Sequence, residues 1–357
     1  MAVPDELAEH LRTVRLVDHH VHGWFTSPGD RPSFEAALNE GSPGPVPAWM
    51  SGFDLPVGLA VRRWCAPLLG LPALASADDY WAARSATPYD ELVRTFVEAA
   101  GVEHWVVDNG LTPGLLDLPE PRSEVVRLEV LLEEVIGADD VPGAFRARLD
   151  DAAVRAVGTK TIAAYRTGLD IDWSRPTDAA VVAAALASGP RVVDPLLVAF
   201  VVHEAAARGL PLQVHTGLGD RDLDLRRADP LHLLPLLRTV EVPVLLLHCY
   251  PFHRQAGYLA QAFDHVSFDV GLAVNHLGAR SVELVAESLE LAPYAKQLYS
   301  SDAYGVPELH VLGSLLWRRA MGEVLGGWLA RGDCGLDDAV RIVDLVAAGN
   351  ARRVYGL

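Results

Sequence analysis

The chain alternates short apolar runs with longer stretches in which apolar residues recur at a helical spacing. The short runs are rich in β-branched residues and have the length of buried strands. Eight such runs are present, at Val14–His20, Val102–Asp108, Val125–Leu131, Val157–Ile162, Leu210–His215, Val242–His248, His265–Val270 and Gln297–Ser301. Helical patterns fill most of the intervals, including Thr177–Ala187, Pro195–Arg208, Pro230–Val240, Phe252–Phe263, Ser281–Leu291, Glu308–Ala330 and Leu336–Ala348.

A strand that is regularly followed by a helix predicts a parallel sheet, and eight such units predict a closed barrel. We therefore predict a (β/α)8 TIM barrel of the α/β class, with residues 1–357 forming a single domain. Residues 23–87 do not fit a simple crossover, because they are rich in Pro and Gly and then turn helical. We interpret them as an insertion after the first strand that forms either a cap over the substrate or a subunit contact, the latter in a homo-oligomer.

The composition of the chain limits the kinds of partner that it can bind. A formal net charge of −17 would repel a phosphate backbone, so nucleic acid is not expected to bind. The first residues lack a basic segment followed by an apolar stretch, and no apolar run is long enough to span a membrane, so we expect a cytoplasmic protein without a membrane partner.

The three cysteines, at positions 65, 249 and 334, argue against a disulfide framework and a Cys-rich zinc site. A metal would have to be held by His, carboxylate or modified Lys.

The sequence Asp18-His-His-Val-His-Gly23 stands near the end of the first predicted strand. His20 and His22 are two residues apart, and side chains at that spacing on a strand point in the same direction. Both imidazoles can then meet one ion, and neutral imidazole is a good ligand for zinc and other first-row metals. Zinc is the ion we expect.

Further chemistry-bearing residues end other predicted strands, where barrel enzymes keep their reactive groups. His215 ends the fifth run and His248 ends the sixth, and either one alone could be a hydrogen-bonded structural histidine. Asp302 follows the eighth run and could ligate a metal while accepting a proton from the activated water. Its structural alternative is an N-cap of the helix that follows.

Lys160 lies inside the fourth, otherwise apolar, strand. A lysine there is costly unless it is paired, modified or directed into a polar site. It could be carboxylated and bridge two metal ions, or it could remain an ammonium that holds an anionic substrate. Because the segment Val157-Gly-Thr-Lys160 has no Glu that could replace a bridging lysine, a site with one ion also stays open.

The order His-x-His, Lys, His, His, Asp along eight strand ends resembles the amidohydrolase superfamily, and the second half of the chain is similar to its amidohydrolase 2 branch. It looks most like the amidohydrolase-like domain that is fused to glutamine-synthetase-like proteins. The segments that carry the resemblance are Lys160-Thr-Ile-Ala-Ala-Tyr-Arg-Thr-Gly-Leu169, His248-Cys-Tyr-Pro-Phe252, Phe268-Asp-Val-Gly-Leu272, Leu298-Tyr-Ser-Ser-Asp-Ala303 and Asn350-Ala-Arg-Arg-Val-Tyr355.

This resemblance implies a metal-dependent hydrolase in which His20, His22, His215 and Asp302 ligate the first metal. It also implies that His248 acts on the substrate or on a second ion. Asp302, His248 and Lys160 are therefore the expected catalytic residues. The link to glutamine synthetase suggests that the substrate is a small amide with a carboxylate, such as a γ-glutamyl or N-acyl compound.

Other residues are candidates for substrate binding. Arg166 could grip a carboxylate in a two-pronged manner, or it could pair with Asp170 or Asp172 on the surface. Tyr165, Tyr250 and Trp24 are expected to contribute to the pocket. Its lining could also include Phe25, Arg254, Asn275 and Tyr304. Each of these residues could equally be an ordinary packing, loop or helix residue.

Two other functions stay open. A metal-dependent decarboxylase or a sugar-acid isomerase of the same superfamily would use the same ligands, and product analysis would distinguish either from a hydrolase. A barrel that binds metal or ligand without turnover would not need Asp302 beside the histidines, so the ligand set argues against it.

Overall fold

The computed structural model describes residues 3–42, 44–110 and 115–357. Its strands are β1 Leu16–Val21, β2 Val102–Asp108, β3 Arg122–Arg127, β4 Ala156–Thr161, β5 Leu212–Thr216, β6 Val244–His248 and β7 Val266–Phe268. Its helices are α1 Asp5–Thr13, α2 Arg31–Ala37, α3 Pro56–Trp64, α4 Ala77–Ala86, α5 Tyr89–Ala100, α6 Leu128–Val135, α7 Val141–Ala153, α8 Ala163–Arg166, α9 Asp178–Ala187, α10 Pro195–Ala207, α11 Leu234–Leu237, α12 His253–Ala262, α13 Gly271–Leu277, α14 Ser281–Ser288, α15 Pro307–Arg331, α16 Leu336–Asp344 and α17 Asn350–Tyr355.

The seven strands are parallel and follow one another in chain order around a curled sheet. The eighth position is taken by an extended segment, residues 297–303, that hydrogen-bonds to the strands on both sides. Gln297 forms a parallel bridge with Phe268 on one side, and His19 and His22 donate main-chain hydrogen bonds to this segment on the other. The barrel predicted from eight strand-like runs is therefore confirmed, although its last member is not a regular strand.

Several boundaries differ from the prediction. The third strand ends at Arg127, and residues 128–135 are helical, because Leu128, Leu131 and Leu132 recur at the spacing of a buried helix face. The helix predicted over 230–240 is a 3-10 turn followed by one short α-helical turn. The helix predicted over 336–348 ends at Asp344 and continues as a π-helical turn.

Local sequence explains where the outer helices begin. Asp194 caps α10 by accepting the backbone hydrogen of Leu196, and Asp140 caps α7 in the same way through Gly143. In both helices a proline stands in the first turn, where its missing N–H costs nothing. α10 packs against β5, which is buried along its whole length, and α7 packs against β4.

The interior of the barrel is filled at one end by apolar side chains. Val17, Val106, Val125 and Leu245, from four different strands, pack with Leu298. Tyr355 of the last helix packs in the same cluster, and its hydroxyl meets the ring of His19 and the amide of Gln213. Because these side chains occupy this end, the functional groups of a barrel are expected at the other end.

The interval between β1 and β2 contains four helices, α2 to α5, which confirms a helical insertion after the first strand. A buried ion pair joins it to the barrel: Arg84 Nε lies 2.5 Å from Glu308 Oε1 of α15. The hydroxyl of Tyr80 donates to the same carboxylate over 3.1 Å. In the described ranges, none of the helices has both the length and the apolar character that crossing a membrane requires.

Candidate active site

The chemistry-bearing residues stand at or next to the carboxyl ends of successive strands. His20 precedes the last residue of β1, Lys160 precedes the last residue of β4, and His215 does the same in β5. His248 is the last residue of β6. Because parallel strands bring their carboxyl ends to one mouth of the barrel, residues that are far apart in sequence meet there.

Asp302 lies at the centre of this group. Its Oδ1 is 3.1 Å from His20 Nε2 and 3.4 Å from His22 Nε2, while its Oδ2 is 3.5 Å from His248 Nδ1. His20 and His248 are almost completely buried, and the Asp302 side chain is 11% exposed. The structure thus brings together three of the four histidines that the sequence singled out, with the aspartate expected beside them.

His215 stands slightly apart from that cluster. Its ring centroid lies 4.6 Å from that of His248 and 4.7 Å from that of Tyr165. Among the described residues, two triads bring their ligand atoms within 4.8 Å of one another, namely His20, His248 and Asp302, and His20, His22 and Asp108. His215 belongs to neither triad, so its predicted role as a ligand of the first metal stays a prediction.

Several ligand-type atoms at this mouth are buried without a hydrogen-bond partner in the described part of the chain. They include His215 Nε2, His248 Nδ1 and Asp302 Oδ1. A buried polar atom without a partner is costly, and an ion that accepts the lone pairs of these atoms would remove the cost. Nitrogen and carboxylate oxygen are also the donor types that zinc and similar divalent ions use. The residues therefore fit a divalent metal.

The electrostatics of the site favour the metal-binding forms of these groups. Burial, reinforced by the nearby Lys160 charge, lowers the pKa of His20 to about 4. Burial likewise holds the pKa of His248 and that of His215 well below the ordinary value, so all three rings are neutral at pH 7. Although burial raises it, the pKa of Asp302 is held well below its usual range by the surrounding imidazoles, above all His248. Asp302 is therefore an anion.

Lys160 lies beside the histidines. Its Nζ is 3.1 Å from His20 Nε2, and its side chain is almost fully buried. Burial lowers the pKa of Lys160 to about 8, although the carboxylates of Asp108 and Asp302 act in the opposite direction. A lysine with a lowered pKa can be modified by carboxylation or can serve as a hydrogen-bond donor, so the two predicted states of Lys160 both stay open.

The backbone at the site is held in an uncommon conformation. His248, Cys249 and Asp302 have φ of 67°, 59° and 47°, in the left-handed region that residues other than glycine rarely adopt. Hydrogen bonds hold these positions. The backbone N–H of His248 donates to the Asp269 carboxylate over 3.0 Å, and the backbone N–H of Asp302 donates to the carbonyl of His20 over 3.1 Å. Strain of this kind is typical of functional sites.

Asp108 and Arg127 are site residues that the sequence analysis did not single out. They are the last residues of β2 and β3, and Arg127 Nη2 lies 2.5 Å from Asp108 Oδ2. Although burial raises it, the pKa of Asp108 is held below its usual range, mainly by Arg127. Applying the rule of strand ends to every strand would have identified Asp108. The misplaced end of the third strand concealed Arg127.

A cavity of about 730 Å3 opens above this cluster. Its lining contains His20, His22, His215, His248 and Asp302 together with the cationic side chains of Arg127, Lys160, Arg166 and Arg191. The inserted segment contributes the opposite wall, through Phe25, Asp30, Pro32, Ser33, Ala36, Ala37, Asn39, Glu40 and Pro45. The pKa of Glu40, which was not predicted as a site residue, is raised to about 8 by burial and by the charges of Asp302 and Asp220.

The predicted substrate-binding residues divide into two groups. Tyr165 and Arg166 line the cavity, as do Phe25 and Tyr304. Arg166 does not pair with Asp170 or Asp172: its Nη1 donates to Glu133 at 2.8 Å, and its Nε is buried without a partner among the described residues. Asp170 instead pairs with Arg227.

The other candidates are not among the residues that line the cavity. Trp24 is buried against His310, with ring centroids 5.4 Å apart, because it pairs with Leu116 and Gly305 in short bridges. Tyr250 stacks on His253, with ring centroids 6.1 Å apart. Arg254 pairs with Glu290 at the surface, and Asn275 donates to the carbonyl of Ser301.

Two neighbours of the histidine pair have supporting roles. Asp18 accepts hydrogen bonds from the backbone and the hydroxyl of Ser301, in the segment that carries Asp302. His19 contacts Asp269 Oδ2 at 2.9 Å and the hydroxyl of Tyr355 at 3.2 Å, as expected of a structural histidine. Both residues brace the strand that carries His20 and His22.

The chain is similar in sequence to known proteins. The sequence model described as Amidohydrolase matches residues 113–357. Protein fluG of Emericella nidulans is 28% identical over 422 aligned residues, which cover 100% of this chain and 47% of that protein. This chain therefore spans about half the length of that curated relative.

Two solved structures resemble the whole chain. One, from Lactobacillus casei ATCC 334, is provisionally assigned as a metal-dependent hydrolase, and it superposes with a TM-score of 0.85 at 24% identity over 100% of this chain and 98% of its own. The other is a uronate isomerase from Bacillus halodurans C-125, with a TM-score of 0.66 at 14% identity over 99% and 96% of the two chains. At these identities the likeness concerns the fold.

Proposed function

Because this chain belongs to the amidohydrolase family, we propose that it is a metal-dependent hydrolase that uses water to cleave an amide bond in a small, carboxylate-bearing substrate. The observation that carries the proposal is the position of Asp302. Its two carboxylate oxygens lie within 3.1 to 3.5 Å of ring nitrogens of His20, His22 and His248. A carboxylate among imidazoles is the arrangement in which a base stands next to a metal.

The residues that would hold the ion are His20, His22, His215 and Asp302, with His248 on the far side of the aspartate. A divalent ion bound there supplies Lewis acidity, which acidifies water and polarises a carbonyl group. Zinc is the ion we favour, because a site built from nitrogen and oxygen ligands suits it. Two ions would require Lys160 to be carboxylated, and its lowered pKa of about 8 is compatible with that modification.

The side chains of the protein then divide the work. Asp302 is an anion with its Oδ1 lacking a hydrogen bond to the described residues, so it can accept a proton from water and pass it to the leaving nitrogen. His248, or Lys160 in its ammonium form, stabilises the negative charge that develops on the carbonyl oxygen. Arg166 and Lys160 line the same cavity and favour a substrate that carries a carboxylate.

The inserted segment covers this site in our proposal. Nine of its residues, from Phe25 to Pro45, belong to the lining of the cavity, which supports a cap over the substrate more than a subunit contact. A cap of this kind excludes water from the reacting groups and selects substrates by shape. Its Glu40 carboxyl lines the same cavity as the histidines and would contact the bound substrate.

The main alternative is a different reaction at the same ligands. Likeness in fold to uronate isomerases keeps a sugar-acid isomerase or a decarboxylase in consideration. Both would need an anionic substrate in the same cationic cavity, so charge alone does not separate them from a hydrolase. The products do: a hydrolase releases an amine and a carboxylic acid, an isomerase converts an aldose to a ketose, and a decarboxylase releases carbon dioxide.

The decisive experiment combines elemental analysis of the purified protein with a screen of N-acyl amino acids and γ-glutamyl amides. We expect at least one divalent ion per chain and release of a free amine that is lost in the Asp302→Asn variant. The matched control is Asp117→Asn, which changes an aspartate that is paired with Arg122 on the surface. Conversion of uronates by protein that releases no amine from any amide would reject the hydrolase in favour of the isomerase.

A further inference from the structure

Two cationic side chains stand next to each other on neighbouring strands at the mouth of the barrel. Arg127 of β3 and Lys160 of β4 are partners in register, and they are 8% and 2% exposed. Like charges directly opposite each other on a sheet are destabilising, and burial increases the cost because solvent cannot screen them. A pair of this kind is favourable only when anions surround it.

The protein provides only part of the required negative charge in direct contact. Arg127 donates from Nε and Nη2 to one oxygen of Asp108, at 3.2 and 2.5 Å. Lys160 Nζ contacts the neutral ring of His20 at 3.1 Å. Within the described ranges, the hydrogen bonds that these two cations donate therefore reach a single carboxylate, that of Asp108. Both side chains line the cavity, so an anion in the cavity can reach both.

Asp108 fixes the orientation of the guanidinium. Its Oδ1 accepts the backbone hydrogen of Gly110 at 2.9 Å, so the carboxylate that holds Arg127 is itself anchored. Asp108 Oδ2 takes up the Nε edge and one hydrogen of Nη2, which leaves the Nη1 end of the planar fork for another acceptor. A planar fork held in one orientation is well suited to bind a carboxylate.

We propose that Arg127 and Lys160, the latter as an ammonium, together form the subsite for the substrate carboxylate, which makes Arg127 a specificity-determining residue and Asp108 its positioning residue. This inference rests on the proposed function for its substrate, an amide. Lys160 touches His20, so a carboxylate bound here lies only a few bonds from the group that reacts beside the histidines. The substrate class is thus an N-acyl α-amino acid, whose carboxylate is close to the amide nitrogen.

The subsite can be tested by binding, without turnover. The probe is 4-oxopentanoate, which matches N-acetylglycine except that a methylene replaces the amide nitrogen and prevents cleavage. Its methyl ester is the neutral control ligand. Isothermal titration of the purified, metal-containing protein should give a Kd for the acid at least about tenfold lower than for the ester, as expected for a charge-assisted hydrogen bond. Equal affinity for acid and ester would overturn the proposal.

Variants then assign the effect to residues. Arg127→Met should weaken binding of the acid at least about tenfold and leave binding of the ester unchanged, while Arg127→Lys should fall between Arg127→Met and the unaltered protein. Arg146→Met is the matched control, since Arg146 is also an ion-paired arginine, held by Asp178 and Glu204, but does not line the cavity. If Arg127→Met does not fold, Lys160→Met keeps the pair of Arg127 with Asp108 intact and should also reduce the preference for the acid. Equal weakening of both ligands by the variants would show a packing effect and reject the subsite.

The two proposals can fail separately. Preference for the acid that disappears in Arg127→Met, in protein that hydrolyses neither N-acyl amino acids nor γ-glutamyl amides, would support the subsite and reject the hydrolase. Hydrolysis of N-acetylglycine and of its methyl ester with the same kcat/KM would support the hydrolase and reject the subsite. The metal content is measured on each variant, because a variant that disturbs the histidines could lose anion binding by losing the metal.

Discussion

His22 donates its Nδ1 hydrogen to the main-chain carbonyl of Asp108 over 2.8 Å. Because a carbonyl oxygen can only accept, this contact fixes the tautomer of the ring and leaves Nε2 as the nitrogen with a free lone pair. That nitrogen lies 3.4 Å from Asp302 Oδ1. Histidines that ligate metals are commonly held in this manner by a second group, which sets both their tautomer and their direction.

The first prediction concerns the histidine pair. Replacing His20 and His22 together by Ala removes two nitrogen ligands from one ion, so the purified variant should contain less than about a tenth of the metal of the unaltered protein and should lack activity. Elemental analysis measures the ratio. His10→Ala serves as the control, because His10 pairs with Asp344 on the surface. Full metal stoichiometry in the double variant would contradict the ligand assignment.

The second prediction separates metal binding from proton transfer. Asp302→Asn keeps an oxygen at the same place but removes the base, so kcat should fall by a factor of about 100 to 10,000 while most of the metal is retained. The rate is measured at saturating substrate, with the metal content determined on the same sample. A kcat within threefold of the unaltered value, with the metal in place, would exclude Asp302 as the base.

Much of this site could be predicted because barrel topology converts sequence position into spatial position. Once eight strands are recognised, a residue at the end of each one must face the same mouth. That reasoning was sufficient for His20, His22, His248 and Asp302, which the structure brings together. Tyr165 and Arg166 followed from their place just after the fourth strand.

The other residues of the site depend on structural details that a sequence pattern does not contain. Arg127 was assigned to the middle of a strand, because the apolar residues that follow it suit a strand and a buried helix equally well. Trp24 and Tyr250 were placed in the pocket from their position in loops, but the direction of a loop side chain is decided by tertiary contacts such as the bridge of Trp24 with Leu116. Glu40 lies in the insertion, whose path over the barrel no periodicity predicts.

The third prediction concerns Arg166. Its guanidinium lines the cavity and is paired through Nη1 with Glu133, so Arg166→Met should raise KM for a carboxylate-bearing substrate about tenfold. The metal content should not change, because the hydrogen bonds that Arg166 forms within the described residues go to Glu133 and Val192. Arg254→Met, which removes a surface arginine paired with Glu290, is the matched control. Identical Michaelis constants for the Arg166 variant and the unaltered enzyme would remove Arg166 from substrate binding.

The fourth prediction follows from Glu129, which is completely buried. Burial raises the pKa of this carboxyl, although hydrogen bonds from Thr161 and Ile162 lower it. A raised pKa means that the folded protein keeps a proton that the unfolded chain releases above pH of about 4.3. Stability should therefore fall as pH rises above that value, and the loss ends once the pH passes the pKa of the folded state.

Glu129→Gln tests this effect because glutamine does not titrate. Its amide oxygen can keep both hydrogen bonds that Oε1 accepts, from Thr161 and Ile162. Urea unfolding from pH 4.5 to 7 should show that the unaltered protein loses stability relative to the variant, by up to about 1.4 kcal/mol per pH unit. Parallel stability curves would refute the assignment. Glu134→Gln, which removes a 44% exposed carboxylate paired with Arg148, is the matched control.

The last prediction concerns the ion pair that joins the insertion to the barrel. Arg84 and Glu308 are 1% and 0% exposed, so Arg84→Met leaves a buried carboxylate with Tyr80 as its remaining side-chain donor. Urea unfolding should show a loss of about 3 to 5 kcal/mol, because an unpaired buried charge is far more costly than a broken surface pair. Arg148→Met removes a 35% exposed arginine that pairs with Glu134 and Asp151, and should cost less than about 1 kcal/mol. Adding Glu308→Gln to Arg84→Met removes the unpaired charge and should restore more than half of the loss. The Arg84 guanidinium also packs over Phe34, 4.4 Å from the ring centroid. If the double variant is no more stable than the single one, the lost stability comes from this packing and not from the unpaired charge.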